Sequence, residues 1–101
     1  MAKGYWVALV EVKNMDGYRS EYFAALGDIF RKFGGRYLTR GGQTLIPEGS
    51  AKSRTVIIEF PSYQAALDCY NSPEYAKAKP GRQKNAEADL IVTEGYDGPQ
   101  P

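Results

Sequence analysis

The chain has 101 residues, 43% hydrophobic and 25% charged, the make-up of one ordinary globular domain. Thirteen Lys and Arg against twelve Asp and Glu leave a net charge of +1, which gives no support to nucleic acid or an anionic membrane as partner. There is no His, which excludes His-based triads, His-ligated zinc and His-ligated haem, and the lone Cys69 excludes an internal disulfide.

The longest clean apolar run, Tyr5–Val10, is too short for a bilayer span or a signal-peptide core, so the expected location is the cytoplasm. Residues 5–12 are aromatic and β-branched and predict a strand. Its odd positions carry Tyr5, Val7, Leu9 and Glu11, and its even positions Trp6, Ala8, Val10 and Val12. Both faces ask for cover, and parity alone does not say which meets the helices. Asp16 is the expected N-cap of a helix from about Gly17 to Phe33. Tyr18, Tyr22, Ala25, Leu26, Ile29 and Phe33 form its inner stripe, with Phe23 and Phe30 at the edge. Gly34-Gly35 stops it.

Arg36–Arg40 predicts a second strand, with a bulge or close backbone approach at Gly41-Gly42 and a continuation through Gln43–Ile46. Pro47-Glu48-Gly49-Ser50 is turn chemistry. Arg54–Phe60 is the clearest strand and is again apolar on both faces. Pro61-Ser62 opens a second helix with Tyr63, Ala66, Leu67 and Tyr70 inside, and Ser72-Pro73-Glu74 opens a further helical turn. The polar stretch 76–88 is expected to break at Pro80-Gly81. Ala88–Gly95 is a last strand, and residues 97–101 a flexible tail.

The order β-α-β-β-α-β matches the split βαβ arrangement. This is an α+β, ferredoxin-like fold: an antiparallel four-stranded sheet with two helices on one face. Two helices leave the other sheet face bare although its pattern is apolar, which predicts a homodimer packed through that face.

Several blocks resemble one family. They are Lys3-Gly4-Tyr5-Trp6-Val7-Ala8, Gly34-Gly35-Arg36-Tyr37-Leu38-Thr39-Arg40-Gly41-Gly42, Ile58-Glu59-Phe60-Pro61-Ser62, Ala65-Ala66, Ser72-Pro73-Glu74-Tyr75, Arg82 and Val92-Thr93-Glu94-Gly95. In this order they are similar to the domain of unknown function 1330 family. The resemblance spans about residues 3–96 and implies a single dimeric α+β barrel domain over that range. The wider superfamily includes cofactor-free monooxygenases, muconolactone isomerases and haem-dependent enzymes. The family itself carries no reaction to transfer, so no catalytic residue is inherited.

From the residues themselves, Arg40 beside Gly41-Gly42 is suited to gripping a carboxylate in two-pronged fashion, or else to an ion pair with Glu59. Glu11, Glu59 and Glu94 each stand near a strand end. Brought together they would raise one another's pKa toward a general base; apart, each faces solvent or meets an Arg. Tyr22, Tyr70 and Tyr75 project from helices toward the sheet, as ligand-binding phenols or as core. Arg82 closes a pocket or is solvated, and Cys69 reads as a small buried hydrophobe. Only oxygen ligands are on offer, so no metal or cofactor is expected.

The expected function is a cleft between helices and sheet that takes a small anionic organic molecule. As an enzyme it would be a cofactor-independent monooxygenase or isomerase acting on a small organic acid, with Glu59 and Tyr22 as catalytic candidates. Arg40, Gly41, Tyr70, Tyr75 and Arg82 are the candidate ligand-binding residues. The alternatives are a non-catalytic binding or regulatory module, and a purely structural dimer without a cavity.

Overall fold

The computed structural model describes residues 2–101. β1 (Gly4–Val12) is central, antiparallel to β3 (Arg54–Phe60) on one side and to β4 (Ala86–Glu94) on the other. β2 (Arg36–Arg40) lies at the edge against β3, giving the order β2-β3-β1-β4. This is the expected split βαβ sheet. Its helices all lie on one face, and the molecule is a two-layer slab about 17 Å through its thinnest axis.

The helical layer departs from expectation in three ways. The first helix begins two residues earlier than predicted, because Asn14 and not Asp16 is the cap: its side chain accepts from Gly17 N–H at 3.2 Å. Helix α1 (Met15–Tyr18) then runs into one π-helical turn, Arg19–Phe23, and on into α2 (Ala24–Phe33) as a continuous rod. The wider turn shifts the stripe behind it, so Leu26 and Phe30 are buried while Ala25 is exposed. Gly34 closes the rod in the left-handed conformation, with φ 76°.

The second helical segment is two helices. α3 (Tyr63–Tyr70) is capped by Ser62, and α4 (Pro73–Asn85) by Ser72 with Pro73 at its first position. The expected break at Pro80-Gly81 does not occur. Gly81 lies so close to the π turn that a Cβ there would stand 2.3 Å from the Glu21 carbonyl oxygen. Asn85 fastens the same contact, donating to Glu21 Oε2 at 2.9 Å and to the Gly81 carbonyl at 2.7 Å. Tertiary contact outweighs the propensity of Pro and Gly here.

Two strand expectations also change. The irregularity in β2 falls between Tyr37 and Thr39, not at Gly41-Gly42. Gly41 instead turns the chain out of the sheet with φ 70°, so Gln43–Ile46 belong to an exposed connection and do not extend the strand. β4 starts at Ala86, two residues before the expected Ala88, because α4 hands over to it directly.

The face question has a definite answer. Trp6, Val10, Val56, Ile58 and Phe60 are buried under the helices, while the Tyr5, Val7 and Leu9 side of β1 is the open face. Ile91, 54% exposed, lies on that open face opposite Val7. No helix of the described residues is long and apolar enough to cross a membrane.

The Gly81 contact is testable against an uncrowded glycine in the first rod. Gly81→Ala should lose about 1–3 kcal/mol in chemical denaturation, from forced overpacking. Gly27 has nothing within 4 Å of the place a Cβ would occupy, so Gly27→Ala should gain roughly 0.5–1 kcal/mol. Equal effects from the two would contradict the close contact.

Candidate functional site

Paired residues of an antiparallel ladder share a face. Val10 pairs with Arg54 and Val56 with Arg40, so both arginines come up on the helix face at the open end of the sheet. There they meet the π turn. The Arg40 and Arg54 guanidiniums each lie 5.3 Å from the centre of the Phe23 ring. Arg40 also lies over Tyr37 at 5.1 Å and Arg54 over Tyr18 at 5.9 Å. With Arg19, the first residue of the π turn, they bound an open groove of about 560 Å³ floored by Phe23 and Tyr37.

Phe23 is also a wall of a second space. Between sheet and helices lies an apolar cavity of about 20 Å³, room for about one water molecule. Trp6, Tyr18, Tyr22 and Phe30 line it, and Arg82 reaches it from α4. Tyr22 and Tyr75 share a buried hydroxyl–hydroxyl hydrogen bond of 2.8 Å.

The arginines are sorted by role. Of six in the chain, Arg31 pairs with Asp28 and Arg36 with Glu59. Among the described residues, no carboxylate lies within ion-pair distance of the other four, Arg19, Arg40, Arg54 and Arg82, and all four border the groove or the cavity. The Nε atoms of Arg54 and Arg82 are buried without a hydrogen-bond partner.

Positive charge surrounds neutral phenols. Burial, then the Tyr75 hydroxyl, pushes the Tyr22 phenol far above its ordinary value. Burial also raises Tyr18 and Tyr37, although Arg54 pulls the first back and Arg40 the second. These phenols donate hydrogen bonds at neutral pH and do not act as bases.

The predicted site residues divide accordingly. Arg40, Tyr22 and Arg82 border the groove or cavity. Tyr75 bonds to Tyr22 and interacts with Arg82, both of which line the cavity, and Tyr70 packs behind it at 5.3 Å, ring centre to ring centre. Gly41 does not offer its amide to a ligand, since that N–H already donates to the Thr55 carbonyl at 3.0 Å. Its service is space, because a Cβ there would stand 2.3 Å from an Arg54 terminal nitrogen.

Glu59 is a correction. It belongs to the open face, opposite Tyr5, where Arg36 Nε donates to it at 3.0 Å and the Tyr5 hydroxyl at 3.1 Å. The hydrogen bond from Arg36 holds its carboxyl below the ordinary range. It is therefore neither a base in the cleft nor the partner of Arg40. Nor do Glu11, Glu59 and Glu94 gather. β1 and β3 run antiparallel, so their C-terminal glutamates lie at opposite ends of the sheet, and Glu11 accepts from Ser53 instead. Arg54, Arg19, Tyr18 and Phe23 are the site residues not picked out from sequence. For Arg54 a signal existed: it has the parity of Val56, Ile58 and Phe60.

The chain belongs to the family described as domain of unknown function (DUF1330), whose model matches residues 3–96. Among curated proteins none matches. Among solved structures, the chain is similar to RPA0582, a protein of unknown function from Rhodopseudomonas palustris. They share 20% identity with a TM-score of 0.74, over 96% of this chain and 85% of that one. It is also similar to SnoaB, a cofactor-independent oxygenase from Streptomyces nogalater, with 13% identity and a TM-score of 0.62, over 100% of this chain and 97% of that one. At these identities the likeness is one of fold.

Buried protonated groups set an alkaline limit to stability. Burial pushes the Cys69 thiol up to about 12 from its ordinary 9.0, and the Tyr22 phenol up from 10.0. Both folded values are raised, so their contribution is complete below the unfolded values and is lost as pH rises. Denaturation midpoints should hold to about pH 9 and then fall. Cys69→Ala should delay the onset toward the phenol value of 10.0. A midpoint constant to about pH 11, well past the range where an unfolded phenol ionises, would contradict the burial of these groups.

Proposed function

We propose that the protein binds a small, partly apolar organic anion in the cleft between helices and sheet. The acid group sits among Arg40, Arg54 and Arg19, and the apolar body lies on Phe23 and Tyr37. The observation that carries this reading is the set of three arginines at the groove, Arg19, Arg40 and Arg54, with no carboxylate partner among the described residues. Like charges crowded on one ring repel each other, and an anion between them relieves that repulsion. Guanidiniums suit the task because their planar fork matches a carboxylate.

A second reading keeps the same site and adds chemistry. A cationic groove also stabilises the enolate of an acidic substrate, so the site would serve a cofactor-independent oxygenase or isomerase. The activity of SnoaB, similar in fold, supports this reading. Against it, no carboxylate borders the groove or cavity to take a proton from carbon, and Tyr22 is held neutral. Binding is therefore the preferred function.

The assembly proposed with it is a homodimer through the open sheet face, centred on Val7, Leu9, Ile57 and Ile91. Support comes from the apolar character of that face and the absence of a second covering layer among the described residues.

Two measurements test these proposals. Titration with cinnamate by calorimetry should show binding that Arg40→Lys weakens by about 1–3 kcal/mol, with a larger loss for Arg40→Ala. Arg40 is exposed and has no acid partner, so Arg40→Lys should melt like the parent and Arg40→Ala should lose only its contacts with Phe23 and Tyr37, about 0.5–1 kcal/mol. Unchanged affinity in both Arg40→Ala and Arg54→Ala would reject the site. Light scattering should give twice the 11.2 kDa chain mass, and Leu9→Asp should lower it. A well-folded parent of single-chain mass would reject the dimer.

A further inference from the structure

We propose that the site is built for a ligand with two polar ends: an unsaturated carboxylic acid whose far end carries a single neutral oxygen acceptor, a carbonyl or a phenol, received by Arg82. This rests on the anion-binding reading above and extends it inward.

The structure has two unanswered donors, on residues that border two different compartments. Arg54 borders the groove and Arg82 the inner cavity, and the Nε of each is buried with no acceptor. Among the described residues these are the side-chain nitrogens and oxygens in that condition. A buried N–H without a partner is unfavourable in the empty protein, and an acceptor brought by a ligand removes that penalty. Groove and cavity have one wall in common, Phe23, and Tyr18 feels the field of both arginines. A path from the outer cluster to Arg82 therefore runs beside Phe23.

The compartments differ in what they accept. The groove is wide and rich in charge. The cavity has room for about one oxygen-sized group, and its lining apart from Arg82 and the tyrosines is hydrocarbon and indole. A second carboxylate would need more space and more donors than the inner end supplies. One carbonyl or phenol oxygen fits the space, and Arg82 Nε lacks an acceptor. The Tyr22 hydroxyl on the same wall is already engaged in its 2.8 Å bond with Tyr75, which leaves Arg82 as the donor for the ligand. Between the two ends the contact surface is aromatic, so a flat unsaturated body suits it. The proposed ligand requires Phe23, the residue that borders both spaces, to turn aside. Phe23 is half-buried and sits on the π turn, where the helix widens.

The test uses pairs of acids that differ in one atom. The full-length protein is titrated with 4-acetylbenzoate and 4-isopropenylbenzoate, in which a carbonyl oxygen is replaced by a methylene group of similar shape. The corresponding cinnamates provide a longer pair. A pocket built to hydrogen-bond an oxygen discriminates against the analogue lacking it. In at least one length the acetyl compound should bind at least about tenfold more tightly. That ratio should fall to near one in Arg82→Met and Arg82→Gln, while Arg40→Ala weakens both members of a pair equally. Binding of both members with equal affinity at both lengths would overturn the two-ended ligand and leave the anion site standing. So would a preference that survives both Arg82 variants. Failure of every acid, benzoate and cinnamate included, would overturn the anion site as well. The comparison on the unaltered protein holds even if an Arg82 variant does not fold.

Discussion

The Trp6 indole is the joint between sheet and helices, and the rest of the molecule is arranged around it. It stands near the start of the central strand and is almost fully buried. Rings from four elements close on it: Phe30 from α2 at 5.3 Å, Phe60 from β3 at 5.5 Å, Tyr70 from α3 at 5.8 Å and Tyr75 from α4 at 4.9 Å. Its one polar atom is satisfied, since Nε1 donates to the Ala66 carbonyl at 2.9 Å. A large ring with one directional bond fixes both the depth and the direction of the helix that accepts it. It also decides which side of β1 is the inside, and so leaves Tyr5, Val7 and Leu9 outside.

Distance from this joint sets the character of the two ends of the helical layer. Near Trp6 the rings interlock and no groove opens. At the other end the π turn faces β2 and β3, and the packing there is done by cations on aromatic faces, Arg40 and Arg54 on Phe23. Acidic residues are elsewhere: Glu59 holds Arg36 on the open face, and Asp28 holds Arg31 on the exposed side of α2. A near-neutral chain thus acquires a local positive field through placement alone. Net charge, which argues against polyanionic partners, says nothing against a small anion at such a place.

The elements are legible in the sequence because their patterns are strong. Aromatic and β-branched runs mark β1 and β3, and the caps Ser62 and Ser72 and the stop at Gly34 all function as their chemistry implies. What stays hidden depends on relations between distant residues. A 3.6-residue period has no place for the extra residue of the π turn, so it puts Ala25 inside and Phe30 at the edge. The helix through Pro80 persists because Gly81 meets Glu21, a contact no local rule contains. Sequence alone misplaces Glu59 because both faces of β3 look apolar, and only its register against Arg36 places it. The three glutamates share a position within their strands but not in space: Glu11 lies at the opposite end of the sheet from Glu59 and Glu94, which share an end but fall on opposite faces. Arg54 is readable from parity, yet at the first position of a strand a charge is ordinarily taken as solvated.

The central claim is that Arg40 and Arg54 form an anion site on the helix face. It is tested most directly by NMR of the arginine Nε–H groups during a cinnamate titration. The account predicts saturable shifts of the Arg40 and Arg54 signals with a common dissociation constant, while Arg31 and Arg36, held by Asp28 and Glu59, stay in place. Shifts that move Arg36 as much as Arg40, or that never saturate, would contradict it.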